Sequence, residues 1–181
     1  MNEVLKAITE RFSCRDFKAD MPSDEMLNLI ADAAVKAPSG MNRQAWRVIV
    51  VKDKALMKDI EDESLAVLSM ADDKSAYDRM MSRGGKIFYN APAMIVVPVE
   101  KDSSPLDCGI LCQNITLAAT SLGLASLICG LAGCGFTTRG EEFSKKLGFP
   151  ENYTLGCTVL LGYPNAVTPP HEPDGSKVSF V

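Results

Sequence analysis

The stretch DCGILCQNITLAATSLGLASLICGLAGCGF, Asp107 to Phe136, decides how the rest of the chain is read. After Asp107 no charged residue occurs until Arg139. Ile110, Leu111, Ile115, Leu117, Ala118 and Leu122 are apolar, and Gln113, Asn114, Thr116 and Thr120 are scattered among them. This pattern predicts a helix that is covered on nearly all sides. Gly123 is placed to end it in the left-handed conformation. A short apolar strand, Leu124 to Ile128, follows, and then a loop containing Gly130, Gly133 and Gly135. A membrane span needs about 20 mainly apolar residues, and these glycines interrupt the run. The reading is that the chain packs around this helix and that the loop after it touches a cofactor, since glycine lets backbone approach closely.

Working outward, 181 residues suit a single domain, or one subunit of an intertwined oligomer. A net charge of −4 argues against nucleic-acid or anionic-membrane partners. The opening residues, MNEVLKAITER, contain no apolar signal segment. With six cysteines, this points to reduced thiols in a cytoplasmic protein. A metal site is the competing reading of those cysteines. Cys108 and Cys112 are four apart, and Cys129 and Cys134 are close, but there is no C-x-x-C pair and the only histidine is His171. Buried free thiols suit this pattern better, and no metal ligand is assigned.

Toward the N-terminus, Val4, Leu5 and Ile8 mark a short amphipathic helix after Asn2. It leads into Arg11-Phe12-Ser13-Cys14-Arg15-Asp16-Phe17, where two arginines and a hydroxyl suit an anionic ligand or, equally, a solvated face. Ser23 caps a second helix with Met26, Ile30, Ala33, Ala34 and Ala37 at helical spacing, and Pro38 stops it. The polar loop from Ser39 to Gln44 contains no acid, which favours ligand contact over a plain connection to the strand Arg47–Val51. Asp53 caps a third helix. Residues 71–83 read as a helix or as a loop over a site. Ala93–Val99 is a buried strand, and Pro98 implies that it ends there or lies at a sheet edge. Pro105 opens the central helix.

Beyond the glycine loop, Thr137 or Thr138 is placed to cap a helix through Leu147, with Gly148 ending it. Thr154–Leu161 reads as a central strand. The tail, residues 165–181, holds Pro169, Pro170 and Pro173, so it is expected to run extended over another surface.

Four stretches in this order resemble the FMN-dependent nitroreductase family. They are Arg11-x-Ser13-x-Arg15-x-Phe17; Ala37 to Trp46; Gln113-Asn114 through Gly123-Leu124-Ala125-Ser126 to Cys129-Gly130; and Leu161-Gly162-Tyr163-Pro164. The resemblance implies an α+β sandwich, with a central, mainly antiparallel sheet flanked by helices, in an intertwined homodimer carrying FMN at its interface. Arg11 and Phe12-Ser13 then fall beside the phosphate and ribityl chain. Arg15 falls near N1 and O2 of the isoalloxazine, where a fixed cation stabilises the charge left by two-electron reduction. Pro38, Ser39, Gly40, Met41 and Asn42 look like a wall supplied by the partner subunit. Ile128, Cys129 and Gly130 resemble the loop reaching N5. Lys177, with His171 a second candidate, matches the basic residue near the phosphate at the end of the family's chains. Arg83 and Lys86 precede a strand where some members add a flavin contact. The chain departs from the usual pattern at Ala45, Ala125 and Ile128, where proline, glycine and tryptophan respectively are common or found in some members.

The function implied is an NAD(P)H-dependent FMN oxidoreductase acting on nitroaromatics, quinones or similar electron-poor acceptors by ping-pong hydride transfer. No side chain is assigned as catalytic, because the cofactor carries the chemistry. A non-catalytic FMN-binding protein, or a dehydrogenase, dehalogenase or flavin-fragmenting enzyme of the same fold, is the alternative. A nicotinamide-binding Rossmann domain is excluded, because Gly130, Gly133 and Gly135 do not form G-x-G-x-x-G. Residues 64–83 are the expected lid over the substrate pocket.

Overall fold

The computed structural model describes residues 1–170 and 172–181. Six helices surround one four-stranded sheet among them. The helices are α1 (Glu3–Glu10), α2 (Asp24–Ala34), α3 (Lys54–Met70), α4 (Ser75–Met81), α5 (Pro105–Ser121) and α6 (Gly133–Leu147). The strands are β1 (Ile49–Val51), β2 (Ala93–Glu100), β3 (Ala125–Ile128) and β4 (Tyr153–Gly162), in the order β1-β2-β4-β3 and antiparallel throughout.

Local chemistry sets the helix ends. The side chains of Asn2, Ser23 and Asp53 accept hydrogen bonds from the first free N–H groups of α1, α2 and α3, as the positions of Ser23 and Asp53 in the sequence predict. Ser104 does the same for α5, with Pro105 in its first turn. Gly123 (φ 76°) and Gly148 (φ 72°) are left-handed where the central helix and α6 end. Residues 75–81, left open between helix and loop in the sequence, form α4.

The sheet is covered on both faces, so its inner strands are apolar almost continuously. Met94, Val96 and Leu160 face α3, α4 and α6, joining Met57, Ile60, Met80 and Phe143. Ala93, Ile95, Val97, Val159 and Leu161 face α2 and α5, joining Ile30, Leu111 and Ile115. Pro98 does not mark an edge. β2 is an interior strand, and the register shifts between Val97 and Pro98, so that Val97 pairs with Cys157 and Pro98 with Leu155. A bulge tolerates a residue without an N–H. Gly156, which the shift skips, fits because a Cβ there would lie 2.8 Å from Val99 Cγ1.

The glycine run after β3 also differs from expectation. Gly130–Ala132 is a 3₁₀ turn, and α6 begins at Gly133, before either threonine. Gly135 is buried at the crossing of α6 and α3, and a Cβ there would sit 2.9 Å from Ser64 Oγ and 3.2 Å from the Ile60 carbonyl oxygen. Ser64 Oγ accepts from Gly135 N–H at 3.0 Å and donates to the Ala132 carbonyl. This glycine therefore serves close helix packing rather than approach to a cofactor. Arg139, in the same helix, pairs with Asp59 at 2.6 Å and with Glu142 at 2.6 Å, and lies over the Phe143 ring. Lys146 closes the network onto Asp59 and Glu142.

The central helix is apolar all round but is covered on one side. Cys108, Leu111, Cys112, Ile115, Thr116 and Ala119 are buried, while Leu106 is 69% exposed. α1 packs beside it and leaves Val4 (64%), Leu5 (51%) and Ile8 (48%) exposed. Residues 165–170 and 172–181 are exposed and form no helix or strand beyond the 3₁₀ turn Gly175–Lys177.

Candidate functional site

Arg11 leaves α1 with φ −59° and ψ 126°, and the chain runs on extended. Ser13 forms a parallel bridge with Ser126 of β3, and Cys14 N–H donates to the Ser126 carbonyl at 3.0 Å. Phe17 N–H donates to the Tyr89 carbonyl, and Phe17 bridges Pro164. Cys14 and Phe17 are buried, and they pin the segment against the sheet edge while leaving Arg15 exposed. Among the described residues, the Arg15 guanidinium donates only to the Ser13 carbonyl, at 3.4 Å.

This pairing brings Arg15 to Ile128, Cys129 and Gly130, together lining a cleft of about 190 Å³. Met80, Ile87, Tyr89, Leu127 and Leu131 form its apolar walls, and Arg79 and Arg83 stand at its rim. Cys129 N–H donates to the Thr158 carbonyl at 2.8 Å, fixing the turn out of β3. Burial pushes the Cys129 thiol up to about 11, so it stays protonated and unreactive at neutral pH. Gly130 has open space where a Cβ would be. Arg11, Phe12 and Ser13 lie on the same extended segment without lining the cleft, and Phe12 packs on the α3/α6 core.

The structure does not bring the remaining candidates to this cleft. The loop Pro38–Asn42 lies on the α2/α5 face. It is tied there by Gly40 N–H donating to the Asp107 carboxylate at 3.2 Å and by Gln44 N–H donating to Ser39 Oγ at 3.0 Å. Met41, Asn42 and Gln44 hold positive φ (52°, 54° and 48°), and Met41 is 96% exposed. Non-glycine residues adopt this region at a cost and cluster at functional segments. Ala45, where proline is common, is buried, and its carbonyl accepts from Glu100 N–H. Lys177 is exposed, 3.6 Å from Asp174. His171 lies outside the described residues. A larger hollow, about 410 Å³ beside Lys54, Lys58 and Lys86, contains Lys86 as its one candidate read from the sequence among the described residues.

Residues 8–163 match the family described as "Nitroreductase family". The chain belongs to the nitroreductase family. A nitroreductase with bound FMN from Desulfitobacterium hafniense DCB-2 is 60% identical, covers 100% of this chain and 99% of its own, and superposes with a TM-score of 0.97. A "NADH dehydrogenase" of Thermus thermophilus is 36% identical over 90% of this chain and 87% of its own. An "FMN reductase [NAD(P)H]" of Bacillus subtilis is 30% identical over 91% of this chain and 67% of its own.

In this nitroreductase-family chain, the cleft holds two arginines that the motif reading did not assign. The family resemblance puts Arg83, with Lys86, before a strand where some members add a flavin contact, and both arginines fall in the expected lid, residues 64–83, but neither is given a role of its own. Their spacing of four, across the end of one short helix, was the signal available in the sequence. Among the described residues, no cluster of histidine, cysteine and acidic side chains is arranged to hold a metal. No helix among them is long and apolar enough to cross a membrane.

Proposed function

We propose that this chain is an FMN-dependent NAD(P)H oxidoreductase whose cofactor lies between two copies, and that it reduces electron-poor acceptors such as nitroaromatics and quinones. What supports this reading is the separation, within one chain, of the cleft from the Pro38–Asn42 loop. One chain supplies a cleft of about 190 Å³, below the roughly 300–1,000 Å³ common for ligand pockets, while the Pro38–Asn42 loop faces away from it. The uncovered apolar surface of α1 and α5 is where a second copy would close the site.

The residues fit the group. A cation beside an apolar-walled cleft suits a flat ring bearing polar edges, and the open space at Gly130 leaves its backbone accessible. Arg15 would hold the N1–O2 edge, Ile128 to Gly130 would line the ring, and Pro38 to Asn42 of a second copy would form the opposite wall. Arg11, Phe12, Ser13 and Lys177 would hold the phosphate end. When bound, FMN supplies two-electron exchange between NAD(P)H and an acceptor. One site serving both substrates in turn implies ping-pong kinetics. The chain's own contribution is to orient both substrates, exclude water and fix a positive charge at Arg15. Residues 1–181 would act as one domain, with the tail lying over the partner, in the cytoplasm where the thiols stay reduced.

The test is a visible spectrum of the purified protein, followed by NADH or NADPH without oxygen. Flavin bands that bleach are the expected result. A colourless protein that takes up no added FMN would overturn the reading, and bands that persist with both nicotinamides would leave a non-catalytic flavin binder.

A further inference from the structure

The rim of the cleft carries a pair of arginines to which the cofactor reading gives no joint role. Arg79 lies on α4 and Arg83 just beyond its end, and both line the cleft occupied by Arg15. Among the described residues, no acidic side chain lines the cleft. Among the described residues, neither arginine is within ion-pair distance of a carboxylate, whereas Arg43 and Arg139 both are. In a chain with 23 acids and 19 bases, three arginines with no acid among the described lining residues concentrate positive potential at the cleft. Asp73, toward Arg79, and Glu61, toward Cys129, are the acids nearby.

Local structure holds this pair in place. α4 is anchored by Met80, which is buried, and Tyr89 Oη approaches its sulfur at 3.5 Å. Asp73 Oδ1 accepts from Ser75 N–H at the start of α4. At its end Gly84 and Gly85 turn left-handed, with Gly85 N–H donating to the Met80 carbonyl. Met80 faces inward, and Arg79 and Arg83, four apart, are exposed at the rim. Guanidinium groups so placed match a carboxylate or phosphate in two-pronged geometry.

We propose that Arg79 and Arg83 form an anion clamp that selects substrates carrying a carboxylate or phosphate at the mouth of the cleft. The proposal rests on the oxidoreductase reading for its substrates but not for the clamp itself. The anion has two sources, the diphosphate of a nicotinamide dinucleotide or an acidic substituent on the acceptor. In either case the arginines act by binding and take no part in electron transfer.

The experiment compares the flavin-loaded wild type with the double variant R79Q/R83Q. Two ratios of kcat/KM are measured: 4-nitrobenzoate against its methyl ester, and NADH against uncharged 1-benzyl-1,4-dihydronicotinamide. The clamp is expected to lower at least one ratio by about tenfold through KM. A fall in the first ratio identifies the acceptor's carboxylate, and a fall in the second identifies the dinucleotide's diphosphate. Calorimetric titration with benzoate and with NAD⁺ gives a readout independent of turnover, and the affected anion should bind more weakly to the variant. Unchanged ratios and unchanged anion binding would overturn the proposal, as would a variant whose sole defect is weaker FMN binding. A protein that binds these anions through Arg79 and Arg83 but takes up no FMN would sink the oxidoreductase reading and leave the clamp standing.

Discussion

The two faces of the sheet are finished differently. On one, α3 and α6 cross at Gly135, and Arg139, Asp59, Glu142 and Lys146 tie the helices together over Phe143. On the other, α2 and α5 cover the sheet, and α1 packs on α5, leaving Val4, Leu5, Ile8 and Leu106 exposed. The first face is complete within one chain. The second keeps an exposed apolar outer surface, where the proposed second copy would pack, and the loop Pro38–Asn42 stands on that same face. Fold stability and cofactor binding should therefore fail separately when each face is damaged.

The largest effect is expected on the open face. The double substitution Val4→Asp and Leu5→Asp puts charge into the proposed contact while leaving the buried Ala7 in place. It should convert a dimer to monomers and abolish FMN retention, read by sedimentation and by flavin absorbance, with the helical circular dichroism retained. A dimer that survives with its flavin would make the contrast between the faces meaningless.

On the closed face, Gly135→Ala should destabilise the fold by about 1–3 kcal/mol, because its Cβ meets backbone as well as Ser64. Urea unfolding measures this, and oligomeric mass should not change. A smaller loss, about 1 kcal/mol, is expected from Ser23→Ala, which removes the hydroxyl that accepts from Met26 N–H at 3.2 Å.

The smallest effect is confined to acid. Hydrogen bonds from Arg139 and Lys146 hold the carboxyls of Asp59 and Glu142 at about 2, below their ordinary values of 3.8 and 4.5. The unfolded chain therefore binds more protons between about pH 2 and 5, and stability rises with pH through that window. The contribution is complete above it and lost as pH falls toward 2. Arg139→Gln should flatten the slope of urea midpoint against pH between 5 and 3. An unchanged slope would show that the network does not couple to folding.

These contrasts explain what the sequence disclosed. The caps at Ser23 and Asp53 and the left-handed Gly123 and Gly148 were legible, because each is a local choice between a few backbone states. The helix Pro105–Ser121 was legible as apolar all round, but its one-sided burial was not, since a pattern does not say which molecule does the covering. Gly135 was misread because glycine serves close helix packing and ligand approach equally well, and only Ser64, 71 residues away, separates the two. Pro98 was misread for the same reason, as its bulge depends on Gly156 across the sheet. The cleft was half legible. Arg15 and Cys129-Gly130 follow from the family motifs, whereas Arg79 and Arg83 reach it through the fold of α4 onto Tyr89.

The central claim is that one cofactor site draws Arg15 from one chain and the Pro38–Asn42 loop from another. The direct test mixes two variants, Arg15→Glu and Met41→Glu. Both positions are exposed, so neither substitution disturbs the core, and each variant alone should bind no FMN. In a mixed dimer one site would carry both lesions and the other neither. Flavin absorbance of the isolated mixed dimer should therefore reach about half the wild-type amount, one site of two. If the mixed dimer remains colourless while each variant is folded and dimeric, both residues serve a site within one chain, and the divided site is wrong.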